Sequence, residues 1–291
     1  LAVVRGGRAA LAAKPLAIFD CCPTAPLSWS ELTTTSLVGC AEAGVPAEII
    51  SVPMTGATAP MSLRGSIAQH AAECLSGVVI HQLFAPGAPV IWGTCASGFD
   101  MRNGTSPMGA VESMLLNASV AQVGRHLGLP THGFYALSDS KALDYQAGYE
   151  SGCGALVAAL AQVDVVTGPG ILEFVGCQSL EKLVLDHEVC LSARRAVAGV
   201  THREEEDVVD LVEQGIAAGQ FLNLRHTRKT FREELLFPGP TVDRQDGTTW
   251  LLSGGSQAHQ TAHKEVERLL AGDGAAPLEQ GVVDEIDRLR G

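Results

Sequence analysis

Aromatic residues make up only 5% of this 291-residue chain. Yet Trp92, Phe99, Phe134, Tyr135, Tyr145, Tyr149 and Phe174 all fall in, or just after, three consecutive strand-like segments. Carboxylates accompany them: Asp100 and Glu112 after the first segment, Asp139 and Asp144 after the second, Glu173 after the third. An aromatic face attracts a cation placed within about 6 Å of the ring centre, and a carboxylate offsets its charge. Side chains of these two kinds suit a small cation, a quaternary ammonium above all. The same rings could equally pack between strand and helix.

Other candidate chemistry is weaker. HQTAH (His259 to His263) puts two histidines on one helix face at i, i+4, but it lacks the general-base glutamate of the HExxH metalloprotease pattern, so a solvated face is the better reading. DHEVC (Asp186 to Cys190) offers three ligand types in one turn with no partner cluster at metal spacing, and its charges could simply face water. No metal is expected. Cys21, Cys22 and Cys177 could act as thiolates only beside a cation that lowers their pKa. Lys141 is the one lysine near a strand end, in polar surroundings, where an aldolase or lyase would need a Schiff-base lysine.

These residues need a frame, and composition bounds it. Hydrophobic residues are 46%, charged residues 18% and the formal net charge is −12, which fits a globular protein and disfavours binding to nucleic acid. The eight cysteines include no CxxC pair, which reads as reduced thiols in a cytoplasmic protein. LAVVRGGRAALAAKPLAIF is too short and too interrupted for a signal peptide or membrane span.

A short apolar strand, a turn and a long amphipathic segment recur about five times. The strands are LAIFDC (Leu16 to Cys21), AEIISV (Ala47 to Val52), PVIWGT (Pro89 to Thr94), HGFYAL (His132 to Leu137) and VDVVTG (Val163 to Gly168). Spacings of about 30 to 40 residues fit βαβ units and a parallel sheet. AEIISV reads as apolar on both faces, as a buried parallel strand does. No GxGxxG follows the first strand and no GxxxxGK[ST] occurs, so a barrel is favoured over a doubly wound nucleotide-binding sheet. Between AEIISV and the next helix stand Gly56, Ala57, Thr58, Ala59 and Pro60; Pro60 suits a first helical turn, and small residues there would let a ligand approach backbone N–H groups. After about Leu172 the pattern gives way to amphipathic helices, among them SLEKLVLDHEVCLSARRAV and HREEEDVVDLVEQGIAAG, the second with an acidic first turn. No low-complexity linker divides the chain, so 1–291 reads as one domain, with βα repeats over 1–172 and helices and remaining barrel segments over 173–291.

The runs PMTGATAP…GSIAQHAAECLSGVVIHQLFAPGAPVIWG, FDMRNGTSPMGAVE, LGLPTHGF…SDSKALDYQAGYES, GPGILE…SLEKLVLDHE and FLNLRHTRKTFREELLFP resemble the trimethylamine methyltransferase superfamily, from Leu16 to about Leu270. The resemblance implies an α/β fold of the (β/α)8 TIM-barrel type. Family members are longer at the amino end, so the barrel is expected to be incomplete on its amino-terminal side, with extra carboxyl-terminal helices. It also implies methyl transfer from a methylated amine to the cobalt(I) of a corrinoid carried by a separate protein and not bound covalently here. The founding branch carries pyrrolysine, whereas all 291 residues here are standard. The chain therefore resembles the non-pyrrolysine branch, which uses quaternary amines such as glycine betaine.

On this reading Trp92, Asp100, Arg102, Tyr135, Tyr145 and Glu173 bind the substrate, Arg102 or a backbone N–H near Gly56 holding a carboxylate. Gly56, Thr58 and His226 face the corrinoid. Asp100, Tyr135 and Glu173 should share one concavity, with the Gly56–Pro60 turn on its rim. The catalytic residue is unassigned, and the family's pyrrolysine position is placed only within Ile171 to Ser179. The expected partners are the corrinoid protein and a small methylated amine, without nucleic acid or membrane; homo-oligomerisation is left open. The alternatives are an inactive barrel fragment that binds a small cation, and an unrelated barrel lyase.

Overall fold

The computed structural model describes residues 1–203, 207–272, 274 and 277–290. The elements begin with α1 (Ala2–Arg5), α2 (Arg8–Ala13), β1 (Phe19–Cys21), α3 (Glu31–Ala43), β2 (Ala47–Ser51), β3 (Met54–Thr55), α4 (Leu63–Phe84), β4 (Val90–Thr94), β5 (Ser97–Gly98) and α5 (Val111–His126). There follow β6 (Thr131–Phe134), α6 (Tyr145–Leu160), β7 (Val165–Thr167), β8 (Ile171–Leu172), β9 (Cys177–Gln178) and α7 (Leu180–Val197). The rest is helical: α8 (Val208–Ala218), α9 (Arg225–Glu234), α10 (Gly247–Leu252), α11 (Ala258–Leu270) and α12 (Gln280–Arg290).

Each of the five expected strands contributes to one sheet, in the order β1-β2-β4-β6-β7, and every neighbouring pair is parallel. The spatial order is the chain order. Because parallel crossovers are right-handed, steps that always advance in one direction put all the helices on one face. A doubly wound sheet would reverse direction and cover both faces. The sheet is a curled barrel wall with helices outside. β3 and β5 extend β2 and β4 as a parallel two-stranded continuation, after a break at Val52 and Pro53, where the proline has no N–H for a ladder.

The helices start where side chains can cap them. Ser30, Ser62, Asp144 and Ser179 accept hydrogen bonds from the N–H groups of Thr33, Gly65, Ala147 and Lys182 at the starts of α3, α4, α6 and α7. Ser62 is the cap of α4, so Pro60 lies ahead of the helix and not in its first turn. The acidic run expected to open the next charged helix, residues 204–206, lies outside the described residues; Asp207 caps α8. The main core sits between sheet and helices: Cys21, Ala47, Ile49 and Trp92 meet Leu37 and Cys40 of α3, Cys74 of α4 and Val120 of α5. Among the described residues no helix is long and apolar enough to cross a membrane, and all eight cysteines are free.

Candidate functional site

Strand alternation assigns the other face of the sheet. If Ala47, Ile49 and Trp92 face the helices, then Glu48, Gly93 and His132 face the concave side. Asp20 lies opposite Glu48, and Gly93 opposite His132. The Glu48 carboxylate spans β4 to contact His132 Nδ1. It can do so because residue 93 is glycine: a Cβ there would stand 2.2 Å from Glu48 Oε1. His132 Nε2 lies 2.8 Å from Thr167 Oγ1. A polar line thus crosses the wall from β1 through β2 and β6 to β7.

Glu48 and His132 are each 3% exposed, so AEIISV is not apolar on both faces as its composition suggests. Burial pushes the Glu48 carboxyl above its ordinary range; the His132 ring opposes the rise and Asp20 adds to it. Burial also pushes the Cys95 thiol, beyond the end of β4, up to about 12, with Cys22 and Glu48 adding to it. Cys21 is likewise pushed up to about 12 by burial and by Cys40. Neither thiol is an activated nucleophile.

Around the carboxyl ends of the strands, a polar side chain from each of α4, α5, α6 and α7 holds a loop. Glu73 of α4 accepts the Leu27 N–H at 2.8 Å and a bond from Ser51 Oγ. Asn117 of α5 accepts the Thr94 hydroxyl at 2.8 Å and the Ala96 N–H at 3.0 Å. Glu150 of α6 accepts the Ser138 hydroxyl at 2.6 Å and the Asp139 N–H at 2.8 Å. Asp186 of α7 accepts the Gly170 N–H at 2.7 Å and pairs with Lys182. Asp139 joins neighbouring loops, accepting the N–H groups of Met108 and Gly109 at 2.9 Å each. The bonds from backbone N–H groups to the carboxylates of Glu73, Asp139, Glu150 and Asp186 are charge-assisted and among the stronger ones, and together with Asn117 they fix the mouth.

The expected site residues are placed variously. Trp92 lies on the helix side, its Nε1 donating to the Val120 carbonyl at 3.1 Å. Tyr135 follows the end of β6 and is 2% exposed. A Cβ on Gly133 would meet its ring at 2.5 Å and Thr94 Cγ2 at 3.3 Å, and Thr94 points to α5, so this ring also faces the helices. Tyr135 therefore does not share a concavity with Asp100 and Glu173. Asp100 accepts Arg102 Nε and Nη2, both at 3.0 Å, and Arg102 holds its carboxyl well below the usual carboxylate range. Arg102 is engaged within its own loop. Tyr145 is exposed and stacks on Tyr149. Glu173 is exposed at the tip of the β8–β9 hairpin, where Glu173, Phe174 and Val175 have φ of 52°, 53° and 69°.

In the small-residue turn, Gly56 has φ 93°. The N–H groups of Ala57, Thr58 and Ala59 all donate to the Met54 carbonyl, and that of Gly56 donates to the Ala59 carbonyl. The turn offers shape and no spare donors, contrary to the expected approach to its backbone. Thr58 Oγ1 accepts the Met54 N–H at 2.9 Å. His226 lies on α9, which Arg195 of α7 joins by donating to the Glu234 carbonyl at 2.9 Å. DHEVC is not a water-facing turn: Asp186 and Glu188 are buried, the latter accepting the Gly239 N–H at 3.0 Å. His263 of HQTAH is exposed beside Glu181, 3.0 Å away.

Sequence reasoning missed Asp20, Glu48 and His132. The available signal was an ionisable residue inside an apolar strand, since a buried charge is rare unless paired. A cavity of about 660 Å³ lies between α6, α7 and residues 241–259; it belongs to the helix layer and not to the concave face. Among the described residues no group of His, Cys, Asp and Glu is arranged to hold a metal.

A curled parallel wall with helices on one side, and its polar groups on the other side and at the strand carboxyl ends, defines an α/β protein of barrel type. The chain belongs to the trimethylamine methyltransferase (MTTB) family, the match running over residues 1–289. It is 32% identical to the trimethylamine methyltransferase MttB of Methanosarcina barkeri over 284 residues, 94% of this chain and 57% of that protein. It is 31% identical over 281 residues to the MttB of Desulfitobacterium hafniense strain DCB-2, 97% of this chain and 56% of that protein. It is 34% identical over 272 residues to the glycine betaine methyltransferase of Desulfitobacterium hafniense strain Y51, 93% of this chain and 56% of that protein. The chain spans somewhat more than half the length of these relatives.

Proposed function

We propose that the protein to which this chain belongs moves a methyl group from a quaternary amine such as glycine betaine to the cobalt(I) of a corrinoid held by a partner protein, within a (β/α)8 barrel of which this chain supplies five strands. The observation that carries the reading is the pair of carboxylates, Asp20 and Glu48, on the concave face of a chain of this family. Carboxylates beneath the mouth favour a cationic substrate.

The chemistry asks little of the protein. A quaternary nitrogen already carries positive charge. When its methyl group is displaced, the electrons of the carbon–nitrogen bond return to nitrogen and a neutral tertiary amine leaves. No proton moves and no covalent adduct forms. A tertiary amine would instead have to expel a poor, amide-like leaving group. The corrinoid supplies the nucleophile; this chain's part is to orient the ammonium, keep water away and offset charge. Mouth loops pinned by Glu73, Asn117, Glu150 and Asp186 suit that work, and a chain of standard residues alone agrees with a substrate that needs no adduct.

The test is methylation of cob(I)alamin, followed spectroscopically, by the full-length protein with a panel of amines. Turnover of glycine betaine, carnitine or proline betaine is expected. Turnover of trimethylamine and of none of these three overturns the reading.

A further inference from the structure

We propose that the cleft of about 660 Å³ between α6, α7 and residues 241–259 is a second binding site, for an apolar molecule that carries a primary ammonium group. It lies in the helix layer, apart from the concave face. Its volume is that of a small-molecule pocket, and Leu156, Val189 and Val242 give it apolar walls. Part of the room comes from Gly148 and Gly152, one turn apart on α6. No atom lies within 4 Å of where a Cβ would stand on either, and neither has a left-handed backbone that needs glycine. Gly154 of the same helix differs, because its Cβ would meet the Ala136 nitrogen at 2.8 Å. Glycine inside a helix destabilises it relative to alanine, and at Gly148 and Gly152 no close packing among the described residues offsets that loss. An occupant of the cleft would.

Glu188 and Thr241 give the occupant its chemistry. Both line the cleft, and each is 7% exposed. Glu188 Oε1 accepts the Gly239 N–H at 3.0 Å, an approach that only glycine allows, since a Cβ on residue 239 would stand 2.3 Å from that oxygen. One oxygen thus fixes the side chain. The other, Glu188 Oε2, and Thr241 Oγ1 are buried with no hydrogen-bond partner among the described residues, and a buried acceptor without a donor is costly. Lys182, which also lines the cleft, donates to Asp186 and Ser151 instead. An ammonium brings three N–H donors, and its bond to a carboxylate is charge-assisted; the apolar body would then lie over the two glycines. Glu188 and Thr241 also line a cavity of about 560 Å³ between α7 and α11, but that lining includes no glycine, so the larger cleft is the site.

The experiment is calorimetric titration of the full-length protein at neutral pH with hexylamine, an alkylammonium under those conditions, and separately with hexyltrimethylammonium, which has the same chain and charge but no N–H. Hexylamine should bind at about millimolar affinity or tighter. Glu188→Gln puts an amide in place of the carboxylate; it should weaken hexylamine about tenfold or more and hexyltrimethylammonium less than about twofold. Gly152→Leu fills the cleft and should abolish hexylamine binding while melting no lower than the unmodified protein, because leucine is the better helix former. If Glu188→Gln melts at a lower temperature, Gly152→Leu alone decides. Hexylamine binding unchanged by Gly152→Leu, weakening of both ligands alike by Glu188→Gln, no hexylamine binding by the unmodified protein, or tighter binding of hexanoate than of hexylamine overturns the site. None of these results bears on methyl transfer, because neither variant touches the concave face.

Discussion

Gly93 is the residue on which the concave polar line depends, and Gly93→Ala tests it. The added methyl would stand 2.2 Å from Glu48 Oε1, 2.7 Å from its Cγ and 2.9 Å from its Cδ. All three contacts are to one side chain, so Glu48 must move. If it shifts and keeps His132, the cost is that of overpacking, about 1 to 3 kcal/mol; if it loses His132, a buried pair is broken and the cost rises to about 3 to 5 kcal/mol. Against this, alanine in a strand gains roughly 0.5 kcal/mol over glycine through backbone entropy. Gly93→Ala should therefore destabilise by about 0.5 to 4.5 kcal/mol, lowering the melting temperature of a chain this size by about 1.5 °C per kcal/mol. In a Glu48→Ala background the space is clear, and the same substitution should be neutral or slightly stabilising. A double-mutant cycle by urea denaturation of the full-length protein should show a coupling of at least about 1 kcal/mol. A Gly93→Ala cost that is the same in both backgrounds would refute the reasoning, because the strain would then lie elsewhere than at Glu48.

Two further outcomes follow from buried polar atoms. The Tyr135 hydroxyl is buried and has no hydrogen-bond partner among the described residues, so Tyr135→Phe should raise stability by about 1 kcal/mol by removing a desolvated, unpaired group; a loss on thermal melting would show a partner at work. His70, against Trp92 with Nε2 3.0 Å from the Gly93 carbonyl, is pushed by burial down to about 4 from an ordinary 6.5. Between those values the unfolded chain holds a proton that the folded chain does not. The stability this neutral ring contributes is full above pH 6.5 and is lost as pH falls towards 4, by up to about 3 kcal/mol. Denaturation at pH 7 and pH 4.5 should show a smaller acid loss in His70→Gln, and an equal loss in both proteins would contradict it.

Local chemistry made much of the architecture legible. The five strands, their parallel pairing and the helices between them follow from apolar periodicity and from spacings that only βα crossovers fit. The caps Ser30, Asp144 and Ser179, which act within three residues of themselves, were an equally local signal that went unread. The Asp100–Arg102 contact is likewise local, yet its consequence was misread: two residues that each suit a charged ligand satisfy one another first.

The direction each side chain faces was decided by tertiary structure alone. Alternation divides a strand into two faces, but in a strand with apolar residues on both it does not say which one meets the helices. Trp92 and Tyr135 therefore look like cage residues in sequence and pack behind the sheet in space, while Glu48 and His132, from segments that read as apolar strands, meet across a glycine on the concave side. Their meeting depends on the registers of β2, β4 and β6 together. No short window of sequence contains a register. It is set by the burial of whole strands against α3, α4 and α5, and only when those faces are matched do the carboxylates of Asp20 and Glu48 and the imidazole of His132 come to lie side by side.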